Sequence, residues 1–255
     1  MPLLAHQLLS LGACALTGLA ILFAGVAALR TQLRWFVAGA AIWLPGAIVL
    51  KGLAATFTFG LLHRVEPQVG AGAYVALLTL HSGVLTAVFE PGVTLLAGLW
   101  FRSLTLEPKR MIAVGVGAGA AEALFLAGLG LLELFGRTLG PHAASGAWSQ
   151  ELDASSQSFA YVLVPVIERL LAAAAHTGAR VLVLTSIAER RASLFAAACA
   201  LMGTMDAWAA FGKAEHVALA WVELGFVPAA AVSVAVVLWR LRPRPHWNTP
   251  MNVSG

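Results

Sequence analysis

Apolar residues dominate this chain in long, nearly unbroken runs, and the polar residues are mostly gathered between them. A helix needs about 20 residues to cross a ~30 Å hydrocarbon core. Seven runs are long enough, at roughly 5–29, 35–62, 71–101, 111–136, 158–187, 192–212 and 216–239. The first has no basic segment ahead of it and exceeds the apolar part of a signal peptide, so it reads as a retained helix. Most connections are short ("RTQLR", "HRVEPQVG", "RSLTLEPKR", "ERR"), whereas "TLGPHAASGAWSQELDASSQ" reads as one long exposed loop. The expected fold is all-α, a polytopic bundle of about seven transmembrane helices. Residues 1–242 form one transmembrane domain and 243–255 a short cytoplasmic tail.

Composition agrees with this pattern. A soluble domain carries about 25 % charged residues; this chain of 255 residues carries 11 %, with 60 % hydrophobic and a mean hydropathy of +0.84. The net charge of +4 would suit nucleic acid, but the Lys and Arg lie in the short loops, as membrane topology requires. Nucleic acid is therefore not an expected partner; the lipid bilayer is. Counting Lys and Arg over alternate connections puts ten on one side and three on the other (Arg64, Arg137, Lys213). The N-terminus is then outside and the C-terminus cytoplasmic, which an odd number of spans allows. Cys14 and Cys199 fall inside apolar runs as small buried hydrophobes, and a disulfide between them is not expected. No CxxC or HExxH spacing is present.

Three basic residues, Lys51, Arg169 and Arg180, lie within the spans. An ionisable group at the bilayer centre costs at least ~2.5–3.5 kcal/mol, so it usually faces the bundle interior. At 1.5 Å per residue, Glu90, Glu122, His176 and Asp206, from spans three to six, all lie about 18–21 Å from the cytoplasmic end of their helices. Any mid-span residue has about this depth, and polar residues also serve as interhelical adhesion at around 0.6 kcal/mol per contact. Three carboxylates and an imidazole are a costly set for adhesion alone. The four read together as candidate chemistry.

Around them, Arg169 and His176 are seven residues apart on nearly one helical face, with Glu168 about 80° away. Arg169 is expected to neutralise Glu122 or Asp206, and Arg180 to snorkel toward the cytoplasm. Lys51 is either a counter-ion or an outward snorkel. "GVGAGAAE" looks like a phosphate loop, but no strand precedes it; close helix packing is the better reading. His81 reads as a hydrogen-bonded structural histidine. Trp208, beside Asp206, departs from the aromatic belt that the other tryptophans suggest.

"FEPG" in span three, "GAGAAEA" in span four, "ERLLAAAAH" in span five and "MGTMD" in span six resemble the YhfC family. That family of bacterial membrane proteins is placed in the CAAX protease and bacteriocin-processing superfamily of intramembrane peptidases. The resemblance implies a multi-pass protein of the cell membrane, of the bacterial inner-membrane type, acting on a peptide or membrane protein. It also implies that Glu90 and His176 activate a water and that Asp206 stabilises the oxyanion. Beside them, Glu122, Glu168 and Arg169 read from their positions as a supporting polar network. The chain departs from the superfamily pattern at Pro91, where a second Glu would stand, at Thr94 and Leu95, where an Arg would follow, and at Met202, where a His would precede Asp206.

Three functions fit these residues. The leading one is an intramembrane peptidase, glutamic-type or metal-dependent, with Glu90 as general base, His176 as its partner and Asp206 and Arg169 polarising. The others are a catalytically impaired relative that binds a membrane partner and a small transporter. One His and three carboxylates are also divalent-metal ligand types. The superfamily's chemistry can be written without a metal, and no cofactor is expected.

Overall fold

The computed structural model describes residues 2–139 and 163–242. Residues 140–157 of the expected loop, 158–162 of the fifth span and the tail 243–255 lie outside the described residues. Seven helices among those described are long and apolar enough to cross a membrane. They are α1 (Pro2–Leu29), α2 (Leu33–Gln68), α3 (Ala71–Trp100), α4 (Pro108–Leu139), α5 (Val164–Glu189), α6 (Ala192–Ala214) and α7 (Leu219–Leu241). No strand occurs among the described residues. The protein is all-helical and multi-pass.

Helix α5 is the axis of the bundle. Every residue from Ala175 to Ile187 is buried, as expected of a helix with neighbours on all sides. It packs against α1, α3, α4, α6 and α7. The outer helices turn apolar side chains outward; Leu16, Phe23, Phe57, Leu80, Leu132 and Trp221 are all well exposed. An apolar belt of that extent is a lipid-facing surface rather than one in contact with water.

Small residues decide how closely the helices approach. A Cβ added at Gly115 would lie 2.4 Å from the Thr177 Cα, and one at Gly119 would lie 2.6 Å from the Ala173 Cα. The Gly-rich run is thus the face on which α4 meets α5. Gly83 and Gly203 do the same for α3 and α6, each placing its missing Cβ within 3 Å of the other's carbonyl oxygen. These contacts bring α3, α4, α5 and α6 close enough for short polar side chains to meet between them.

Helix α2 is longer than its hydropathy suggests and is not uniform. A π-helical turn over Leu44–Leu50, with Pro45 in its first turn, separates two α-helical parts. The wide turn shifts the phase of every residue after it, beginning with Lys51. Helix α3, by contrast, continues through Pro91 as a helix. Cys14 and Cys199 are both free.

If backbone contact at the α4–α5 face sets the bundle, Gly115→Ala should be destabilising, because overpacking of about 1–3 kcal/mol exceeds the ~1 kcal/mol gained in helix propensity. Gly128→Ala on the same helix meets nothing within 4 Å and should be neutral or mildly stabilising. Thermal unfolding in detergent compares the two; equal behaviour would contradict this account of the packing.

Candidate active site

The α4–α5 contact sets the first part of the site. Glu122 lies three residues after Gly119, so the close approach that Gly119 permits carries its carboxylate to α5. There, Glu122 Oε1 accepts a hydrogen bond from Arg169 Nη1 at 2.7 Å, and Glu122 Oε2 lies against His176 Nε2. Arg169 Nη2 also donates to Glu168 Oε1. Thr177, beside His176, returns its hydroxyl to the Ala173 carbonyl at 2.7 Å.

The second part lies between α2, α3 and α6. Lys51 Nζ donates to Glu90 Oε1 at 2.8 Å, Asp206 Oδ2 at 3.1 Å and Thr86 Oγ1 at 3.2 Å. Thr86, itself fully buried, donates to the same Asp206 oxygen. Arg180 Nη2 donates to Glu90 Oε2 at 3.2 Å, and His176 Nδ1 stands 3.6 Å from that atom. The latter exceeds a direct hydrogen bond. His176, against Glu122 on one side and 3.6 Å from Glu90 on the other, stands where the two parts meet, and the polar layer runs from Asp206 through Lys51, Glu90, His176, Glu122 and Arg169 to Glu168.

Glu90, Glu122, His176 and Asp206, which sequence depth places at one level, are thus brought together. Glu168 and Arg169 attach at the α4 side of the layer, so Arg169 neutralises Glu122 and Glu168 and not Asp206. Arg180 does not snorkel: it is 1 % exposed and tied to Glu90. Burial on the axial helix leaves its guanidinium no route to an interface, and the buried carboxylate holds it instead. Of the two roles open to Lys51, the structure has the counter-ion. Thr86 joins the layer without a sequence signal, since a threonine in an apolar helix carries none until its neighbours are known. Thr94, at the position where the superfamily pattern has an Arg, donates to the Glu90 carbonyl at 2.9 Å. The guanidinium on the Glu90 carboxylate comes from α5 instead.

A cleft of about 420 Å³ is lined by Lys51, Ala55 and Phe59 of α2, His81 and Leu85 of α3, and Asp206, Ala210 and Lys213 of α6, among others. It runs from the layer toward the α6–α7 turn. The side chains of Asp206 and Lys51 are 36 % and 25 % exposed, against 4 % for both Glu90 and His176. The cleft therefore ends on Lys51 and Asp206, with Glu90 and His176 behind them. His81 bonds Thr58 at 2.5 Å, as a structural histidine would, and also forms part of the cleft wall. Trp208 turns away from Asp206 and donates to the Val222 carbonyl of α7 at 2.9 Å.

No group of three or more His, Cys, Asp or Glu side chains among the described residues forms a metal-binding set. Each carboxylate of the layer already faces an ammonium or guanidinium group. Breaking a buried pair by removing one partner costs about 3–5 kcal/mol. Arg169→Met should therefore lower stability in detergent unfolding by about that much, and adding Glu122→Met should recover a large share. A single variant as stable as the parent would show that the pair is not coupled.

No curated protein and no solved structure matches the sequence. The family model described as YhfC intramembrane metalloprotease matches residues 16–227, a stretch that contains every residue of the polar layer and of the cleft wall. The chain belongs to the YhfC intramembrane metalloprotease family.

Proposed function

We propose that the protein is an intramembrane peptidase that receives a membrane-associated peptide in the α2–α3–α6 cleft and hydrolyses it at the polar layer. The observation that carries this reading is the ending of an apolar-walled cleft on a lysine and an aspartate joined to a buried Glu–His–Glu series. Ala55, Phe59, Leu78, Leu85 and Ala210 offer apolar wall to a peptide's side chains. Family membership supports the same class of reaction.

Hydrolysis in a dry site needs a water, a base for its proton and donors for the tetrahedral oxyanion. In this proposal Glu90 takes the proton as the water oxygen bonds to the peptide carbon. His176, beside Glu90 and Glu122, shares that proton. The Lys51 ammonium, facing the cleft, donates to the developing oxyanion, for which it exchanges its contact with Asp206. The C–N bond then breaks, and the proton held by the Glu90–His176 pair passes to the leaving amine. Arg169 orients Glu122, and through it the His176 ring.

A second reading has its own observation. Glu90 already accepts from Lys51 and Arg180, which suits a structural carboxylate better than a free base. A chain arranged so would hold a membrane segment in the cleft without cutting it. Cleavage of single-span peptides in proteoliposomes separates the two. A peptidase predicts that Glu90→Gln lowers the rate by about 10²–10⁴-fold, the range for loss of a general base. Cutting at the parent rate by Glu90→Gln would refute its role as base. Peptide capture by the parent and by His176→Ala, with cleavage by neither, would establish the binding reading.

A further inference from the structure

Metal-dependent peptide hydrolysis relies on about three protein donors around the ion and a position left open for water or substrate. The layer contains suitable donor types in Glu90, Glu122, His176 and Asp206, yet their surroundings do not fit such an ion. Lys51 Nζ lies between Glu90 Oε1 and Asp206 Oδ2, at 2.8 and 3.1 Å. Arg180 holds the other Glu90 oxygen. Arg169 and His176 take up the two oxygens of Glu122. Met202, one turn before Asp206, is buried with Ala175, Ala179 and Phe226 in an apolar cluster and supplies no nitrogen.

Charge points the same way. Glu90, Glu122, Glu168 and Asp206 already face the cations of Lys51, Arg169 and Arg180. A divalent ion would bring two more positive charges to within a few ångströms of an ammonium. Metal–carboxylate bonds are about 2.0–2.2 Å long, so an ion held by both Glu90 and Asp206 would need the space that Lys51 Nζ fills.

We infer that the Lys51 ammonium is the resident cation of this site, standing between Glu90 and Asp206 where a divalent metal would otherwise be bound. The native protein accordingly takes up no metal there, and removing the Lys51 charge leaves Glu90 and Asp206 as an uncompensated pair of carboxylates open to a divalent ion. The π-helical turn at Leu44–Leu50 is the device that delivers the ammonium, since Lys51 is the first residue beyond it. The inference concerns binding of a cation and stands whether or not the protein cuts peptides.

The test uses full-length protein in detergent, stripped with chelator and titrated with Co²⁺ and Zn²⁺. Metal content is measured, and Co²⁺ absorption reports the ligand field. The parent, Lys51→Arg and Met202→His should all remain substoichiometric, because each keeps the cation. Lys51→Met should bind one ion at least about tenfold more tightly than the parent, and Asp206→Asn added to it should abolish the gain. The inference is overturned if the parent or Met202→His binds one ion in a manner lost on Glu90→Gln, or if folded Lys51→Met binds no better than the parent. Should Lys51→Met not fold without metal, the parent and Met202→His decide between these outcomes. No substrate is present in any arm, so the result is separate from that of the cleavage assay.

Discussion

Charge compensation inside an apolar bundle is the constraint on which the rest of this structure depends. Three carboxylates, Glu90, Glu122 and Asp206, are carried to mid-span depth with a fourth, Glu168, about two turns before His176 on α5, and unpaired they would be far too costly to keep ionised in that setting. Lys51, Arg169 and Arg180 meet them, and His176 lies where the two halves of the layer join. Buried pairs of this kind add little net stability, because desolvation offsets most of the attraction. Their effect is on arrangement: each partner is worth most when helices α2 to α6 sit in one register.

That register is reached through backbone contact. Gly115 and Gly119 let α4 lie on α5, and Gly83 and Gly203 let α3 lie on α6. In lipid there is no hydrophobic drive between helices, so close packing and polar contacts must hold them. The same glycines that provide the packing also shorten the distance that Glu122, Glu90 and Asp206 must reach. Fold and site are in this respect one design, and the cleft opens where α2, α3 and α6 diverge beyond it.

Much of this was legible before any coordinates. Hydropathy alone marks the seven spans, because crossing a bilayer demands a minimum run of apolar residues and few other constraints produce one. Depth counting places Glu90, Glu122, His176 and Asp206 at one level, since helical rise is constant, and the GVGAGAAE run is correctly read as a packing face. The remainder depended on rotation and not depth. Lys51 follows a π turn, which displaces its phase from the 3.6-residue repeat, so its direction was not open to periodicity. Arg180 looked like an interfacial residue because it lies near one end of its span; only the complete enclosure of α5 shows that it has no exit to water. Thr86 is silent in sequence, as its role exists only through Asp206 of α6 and Lys51 of α2, which the fold brings near.

The central claim is that Lys51 couples α2 to α3 and α6 through carboxylates it holds inside the bundle. A double-mutant cycle between Lys51→Met and Asp206→Asn, read as unfolding free energy in detergent, measures that coupling without substrate or metal. The account predicts an interaction energy of about 1–3 kcal/mol, within the range for groups in one polar network. Strict additivity of the two substitutions would contradict it.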